Sequence, residues 1–385
     1  MWGCCVALTT TAPPHTDSEW QIGDTVGMMF DPSLAVSVPK VLLHDHLDGG
    51  LRPSTILELS DEIGWTPRLP STDPAELHRW FVRGAETRDL LQYLATFEHT
   101  LAVLQRADDL VRVARECAID LANDGVVYAE VRFAPELHVH GGLALEAVVE
   151  AVQQGFRDGC AAATSAGKPI VVNTIVCAMR TEHRSLEIAK LAVRMRGDDD
   201  RIVAFDIAGA ETGWPPSLHA DAFAFARANN MHITIHASEP PDLELIADAL
   251  VHGAERIGHG VRLQSDVDLV TGRMGRLARE VLERQIVLEM APTCNTQIGA
   301  VASVADHPIG PFLRMGFRVG INTDNRLMSN VSMSSEVAAV AVAHRLTNVE
   351  VGQLAINAME GSFSSWAERR RLVDRVIKPA YAALA

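Results

Sequence analysis

Eight short apolar runs, separated by longer stretches with helical periodicity, narrow the possible folds more than any other feature of the chain. They are KVLLH (40–44), VVYAEVRF (126–133), PIVVNTIVCA (169–178), IVAFDI (202–207), HITIH (232–236), ERIGH (255–259), QIVLEM (285–290) and FRVGIN (317–322). Near-continuous apolar character, rather than strict alternation, suits strands covered on both faces. Strands alternating with helices predict a parallel sheet. Eight such units in a row predict an α/β fold of the (β/α)8 TIM barrel type, whose active sites gather at the C-terminal ends of the strands.

The helices between the runs have readable faces. In 108–123, Leu110, Val113, Ala114, Cys117, Ala118 and Leu121 recur three and four positions apart, the period of a helix that buries one side. Asp124-Gly125 then supplies a C-terminal stop. The first and second runs are about 80 residues apart, too far for a single crossover helix. That spacing predicts inserted helices over 54–63, 73–84, 87–106 and 108–123, lying over the barrel mouth.

Composition bears on partners and compartment. The chain has 34 Lys and Arg against 49 Asp and Glu, a formal charge of −15, which opposes the basic footprint expected of nucleic-acid or anionic-membrane binding. With 48% hydrophobic residues, it can bury a sizeable core without disulfides. The cysteines, at 4, 5, 117, 160, 177 and 294, include no Cys-x-x-Cys pair. They read as neither a disulfide framework nor a zinc ribbon, so a reducing, cytoplasmic home is expected. No apolar run is long enough for a transmembrane helix. Residues 1–35 read as a weakly ordered leader, with Met28 or Met29 as an alternative start, and 36–385 as a single domain.

Chemically useful residues fall at the ends of the expected strands. His44 and His46 form a His-x-His pair closing the first run, and side chains two apart on a strand share a face. His236 ends the fifth run in TIHASE with Glu239 three positions on, His259 ends the sixth in RIGHGVR, and Asp324 follows the eighth in INTDNR. Each alone reads most simply as a core histidine or a helix cap. Together they bring imidazoles and carboxylates, the donors of a borderline metal, from four strands to one end. His138 and His140 repeat the His-x-His spacing, but Pro135 and Gly141-Gly142 flank them and predict a surface loop.

The stretches PKVLLHDHLDGG, GVVYAEVRFAPELH, FDIAGAE, TIHASE, IGHGVR and INTDNRLMS, in this order from Pro39 onward, resemble the adenosine deaminase family of the metal-dependent amidohydrolase superfamily. The resemblance implies a Zn2+, one per chain, held by His44, His46, His236 and Asp324, with an open position for the attacking water. Such an ion brings the pKa of water from 15.7 toward ~7. By the same match, His259 orients that water and can take its proton, with Asp324 assisting. Glu239, kept protonated by desolvation or a neighbouring charge, donates to purine N1 as C6 is attacked. Substrate contacts fall on His46, on Asp48 for a ribose hydroxyl, on the backbone N–H of Gly209 for N3 and on Asn325 for N7. The inserted helix around Trp80 and Phe81 matches the family's apolar lid, although core packing is the simpler reading of either aromatic. The implied partner is a small purine nucleoside, with no nucleic acid and no membrane, and the motifs leave the oligomeric state open. The implied reaction converts adenosine or 2′-deoxyadenosine to inosine or 2′-deoxyinosine plus ammonia in purine salvage.

The chain departs from the family pattern at several points. Ser238 stands where glycine is usual, and PPDLEL follows Glu239 in place of a glycine-rich run. A side chain beside the implied acid is expected to narrow the pocket or add a hydrogen bond, so both changes bear on substrate preference. Asn325 replaces a frequent second Asp, yet its amide can still donate to N7. Ala291 replaces a common cysteine and reads as packing. The alternative activity is an aminohydrolase of adenine or of a modified adenosine. An inactive barrel that only binds is opposed by the complete set of ligands, acid and base.

Overall fold

The computed structural model describes residues 27–88, 90–197 and 199–384. Its strands are β1 (Lys40–His46), β2 (Val126–Phe133), β3 (Val171–Met179), β4 (Ile202–Ala208), β5 (His232–Ala237), β6 (Arg256–His259), β7 (Val287–Met290) and β8 (Val319–Ile321). They pair in sequential order, each parallel to the next. Each residue of β4 is buried, as expected of a wall covered inside by side chains and outside by helices.

The departures from the expected strand ends have local causes. Pro169 has no N–H for the ladder, and β3 begins at Val171. Gln285 has a φ of +52°, a left-handed turn after the helix Arg276–Glu283, and β7 begins two residues later. β8 ends at Ile321, and beyond it Asn322 adds side-chain bonds to its backbone bond with Met290 O (2.8 Å). Its Oδ1 accepts from Leu43 N–H at 2.9 Å, and its Nδ2 donates to Met290 O at 3.2 Å. The barrel closes just beyond, where Asp324 N–H donates to His44 O (2.9 Å) and His46 N–H to Asp324 O (2.8 Å).

Between β1 and β2 lie α1 (Pro53–Glu62), α2 (Pro74–Ala85), α3 (Leu90–Ala95), α4 (Glu98–Ala102) and α5 (Ala107–Asn123). All six apolar positions read as one face of α5 are buried. The single helix expected over 87–106 is instead α3 and α4. Thr96 Oγ1 and Thr96 N–H both donate to Tyr93 O, at 2.7 and 3.1 Å, and Phe97 N–H donates to Leu94 O at 3.2 Å. These three-residue bonds tighten the turn and break the α-helical ladder.

Of the leader, residues 1–26 lie outside the described residues. Phe30 is buried, its N–H donates to Leu346 O (2.9 Å), and Met28 O accepts from Asn348 N–H (2.9 Å). The packed body therefore begins before residue 36. No helix among the described residues is long and apolar enough to cross a membrane. Cys117, Cys160, Cys177 and Cys294 are free and buried.

Candidate active site

His44 and His46 leave the C-terminal end of β1, His236 lies near the end of β5, and Asp324 follows β8. Their ligand atoms all lie within 4.8 Å of one another. His46 Nε2 is 3.2 Å from His236 Nε2, and Asp324 Oδ1 is 3.4 Å from both His44 Nε2 and His46 Nε2. Donors at 2.0–2.1 Å from a tetrahedral ion stand ~3.3 Å apart, so these separations suit a shell around one ion. His44 Nε2 is buried without a hydrogen-bond partner. Converging acceptors of this kind, taken out of water, are costly unless a cation satisfies them.

A second layer of side chains aims the imidazoles. His44 Nδ1 donates to Glu289 Oε2 on β7 at 2.9 Å, and His236 Nδ1 lies 2.8 Å from Asp206 Oδ2 on β4. Using Nδ1 for a carboxylate leaves the Nε2 lone pair directed at the metal position. Arg132 on β2 joins the two carboxylates, with Nη1 2.6 Å from Asp206 Oδ2 and Nη2 2.6 Å from Glu289 Oε2. Arg256 on β6 continues the network to Glu289 Oε1 and Glu130 Oε2, each at 2.6 Å. Burial would push Glu289 up, but Arg132, Arg256 and His44 hold it well below the usual carboxylate range. Burial also keeps His46 and His236 below the ordinary imidazole value, in the neutral form a metal needs. On His44 burial and the charge of Arg132 are outweighed by the nearby Asp324 and Glu289 carboxylates, which raise it.

Above this cluster opens a cavity of about 170 Å³, a size for one small molecule. His46, Asp48, Gly209, Glu239, His259 and Asn325 all line it. Glu239 Oε1 is 3.4 Å from His259 Nε2. Burial raises the Glu239 carboxyl well above its ordinary value, and the charges of Glu211 and Asp324 push the same way. Asp48 rises to about 7 through burial, and its Oδ1 has no protein partner. Asn325 Oδ1 is likewise buried and unpartnered. Gly49 makes room for it, since a Cβ there would lie 2.1 Å from that oxygen. Gly209 has a φ of +98°, a conformation glycine adopts at no steric cost.

A match to the family model for adenosine deaminase spans residues 39–379. The chain belongs to the adenosine deaminase family. It is 51% identical over 350 residues to the adenosine deaminase of Mycolicibacterium gilvum, covering 90% of this chain and 96% of that one. Among solved structures it resembles the adenine deaminase of Arthrobacter aurescens, with a TM-score of 0.76 and 27% identity over 88% of this chain and 98% of that one. The N6-mAMP deaminase of Arabidopsis has the same TM-score at 25% identity, with coverage of 88% and 98%.

Some expectations about this adenosine deaminase family member need correction. His138 is not on a surface loop: it is buried in a 3-10 turn with Nδ1 3.1 Å from Leu104 O, while its neighbour His140 is exposed. Trp80 and Phe81 do not line the cavity; Tyr93 and Leu94 of α3, Phe97 at the joint and Leu101 of α4 do. The two aromatics pack behind, with ring centres 5.1 and 6.5 Å from His99 on α4. Ser238 also stays out of the cavity lining. Its side chain is buried without a partner, its φ is +76°, and its N–H donates to Glu211 Oε2 at 2.7 Å.

Glu211, Asp206, Glu289 and Arg132 were missed as site residues. For Asp206, Glu289 and Arg132 the available signal was a charge inside an otherwise apolar strand run, as in IVAFDI, QIVLEM and VVYAEVRF, because a charge in such a place must be paired. Cys294 was also missed: its thiol donates to Asp324 Oδ2 at 2.7 Å.

Proposed function

We propose that this chain hydrolyses adenosine and 2′-deoxyadenosine to inosine and 2′-deoxyinosine plus ammonia, using zinc held by His44, His46, His236 and Asp324. The observation that carries this reading is a buried, proton-holding Glu239 facing a three-imidazole, one-carboxylate cluster across one small cavity. Zinc bound there supplies a Lewis acid that makes water ionise near neutrality. Glu239 holds the proton that passes to N1 of the purine. Asp48 accepts a ribose hydroxyl, the Gly209 N–H meets N3, Asn325 meets N7, and His46 forms part of the wall against the base. His259 and Asp324 flank the attacking oxygen. The apolar side chains of α3 and α4 cover the bound molecule and exclude water. We assign the reaction to purine salvage in the cytoplasm, and residues 36–385 to one domain, because β1 and β8 must both contribute to one site.

No Lys or Arg lines the cavity among the described residues, which supports an unphosphorylated substrate. The test is a panel of adenosine, 2′-deoxyadenosine, adenine and adenosine monophosphate, followed by ultraviolet absorbance and ammonia release, with metal analysis of the same preparation. Turnover of the two nucleosides with about one zinc per chain is expected. Turnover of adenine alone would favour the alternative that the likeness to adenine deaminase supports. No turnover with metal bound would overturn the reading.

A further inference from the structure

Behind His259 a line of buried polar groups runs away from the cavity. His259 Nδ1 lies 3.1 Å from Asn295 Nδ2, and Asn295 Oδ1 lies 3.1 Å from His307 Nε2. At the far end, the backbone N–H of Ile309 donates to His307 Nδ1 at 3.2 Å. All three side chains are excluded from solvent, with residue exposures of 1% for His259, 0% for Asn295 and 1% for His307.

The far end sets the direction of the whole line. A backbone N–H can only donate, so His307 Nδ1 must hold a lone pair. A neutral imidazole has one donor nitrogen and one acceptor, so His307 Nε2 carries the hydrogen and donates to the Asn295 carbonyl. The Asn295 amide is thereby oriented, with its NH2 toward His259, whose Nδ1 must accept. His259 Nε2 is left with the hydrogen, and this is the nitrogen facing Glu239 in the cavity. Turning the Asn295 amide over would ask both nitrogens of His307 to accept, which a neutral imidazole cannot do. Burial and the nearby His344 push His307 down to about 3, so the neutral form is the one present.

We propose that Asn295 and His307 are positioning residues that hold His259 in the Nε2–H tautomer, so that His259 offers the cavity a hydrogen-bond donor and no lone pair. The tautomer follows from the hydrogen-bond line alone; its use in deamination rests on the function proposed above. In that use, His259 orients the attacking oxygen, and the proton that oxygen loses passes to Asp324, the carboxylate flanking the same position. This narrows the role implied by the family match.

Ring-nitrogen NMR of 15N-histidine-labelled full-length protein tests the tautomer, because protonated and bare imidazole nitrogens resonate far apart. The His259 signals are assigned by their loss in His259→Gln. Wild type should show a protonated Nε2 and a bare Nδ1 on His259; the reverse would overturn the proposal without any variant or assay. Asn295→Asp keeps the shape but replaces the NH2 with an acceptor, which should move the proton to Nδ1. That variant should keep its zinc content and its KM within about threefold, while kcat falls ~10²-fold or more. A switched tautomer with unchanged kcat would overturn the role in catalysis. Should the nucleoside panel fail, the wild-type spectrum still reads the tautomer, so the two failures are distinguishable.

Discussion

Glu239 shows how burial converts an ordinary carboxylate into an acid at neutral pH. Desolvation and the charges of Glu211 and Asp324 all favour its protonated form, so in the proposed acid role the reactive fraction falls as pH rises through that elevated pKa. The rate should decline on the alkaline side for this reason. Glu239→Gln should retain metal but lose ~10²–10⁴-fold in kcat, measured beside zinc content; unchanged turnover would remove Glu239 from the acid role. Ser238 leads to a stability prediction. Its left-handed backbone costs ~1–2 kcal/mol in a residue with a Cβ, and its buried hydroxyl lacks a partner. Ser238→Gly should therefore raise the melting temperature by an amount equivalent to about 1 kcal/mol. Substrate preference should stay the same, because Ser238 does not line the cavity. The residue type was legible in the sequence, but the direction of its side chain was not, since φ is set by the turn after β5.

At the scale of elements, strand ends and helix joints place the chemistry. Ser238, His259 and Asp324 have φ values of +76°, +59° and +58°, and each sits where a strand turns into the loop that carries site residues. Strain concentrated at a site is held there by surrounding packing. One such support joins the helix Met333–His344 to the helix Pro292–Gln297, which carries Cys294 and Asn295. Glu336 on the first accepts from Thr293 N–H (2.7 Å) and Thr293 Oγ1 (2.5 Å) on the second. Burial raises Glu336 from 4.5 to about 7, so the folded state binds this proton more tightly than the unfolded chain. Its contribution is complete below pH ~4.5 and is lost as pH rises through about 7, a change of up to ~3 kcal/mol. Glu336→Gln mimics the protonated form and should unfold at higher denaturant than wild type at pH 8, with the gap closing at pH 5. A gap independent of pH would assign the effect to packing. The eight strand runs were legible because two-sided burial demands continuous apolar sequence. The division of 87–106 into α3 and α4 was not, because it depends on one threonine hydroxyl competing for a helix carbonyl.

At the scale of the molecule, three of the four residues proposed to hold the metal also form the closing seam of the barrel. His44, His46 and Asp324 exchange backbone hydrogen bonds where β8 meets β1, so an ion held by their side chains ties the first strand to the last. A ligand present at ~1,000 times its Kd adds ~4 kcal/mol to stability. Chelator treatment should accordingly lower the melting temperature by several degrees, and added zinc should restore it. Asp324→Asn should remove most of that difference between treated and untreated protein. An identical melting curve before and after verified metal removal would show that the seam does not depend on the ion.

The order of strands and helices and the barrel they imply were determined by the sequence, because hydrophobic period is a local property of the chain, and strand-end motifs singled out the positions proposed as ligands, acid and substrate contacts. The tertiary structure alone decided what aims those residues. Glu289, Asp206 and Arg132 lie on three different strands, and the line from Ile309 through His307 and Asn295 to His259 joins three separate segments of the chain. Hydrogen-bond direction and carboxylate protonation depend on which groups burial brings within about 3 Å of one another. Folding creates those juxtapositions, and no local pattern in the chain encodes them.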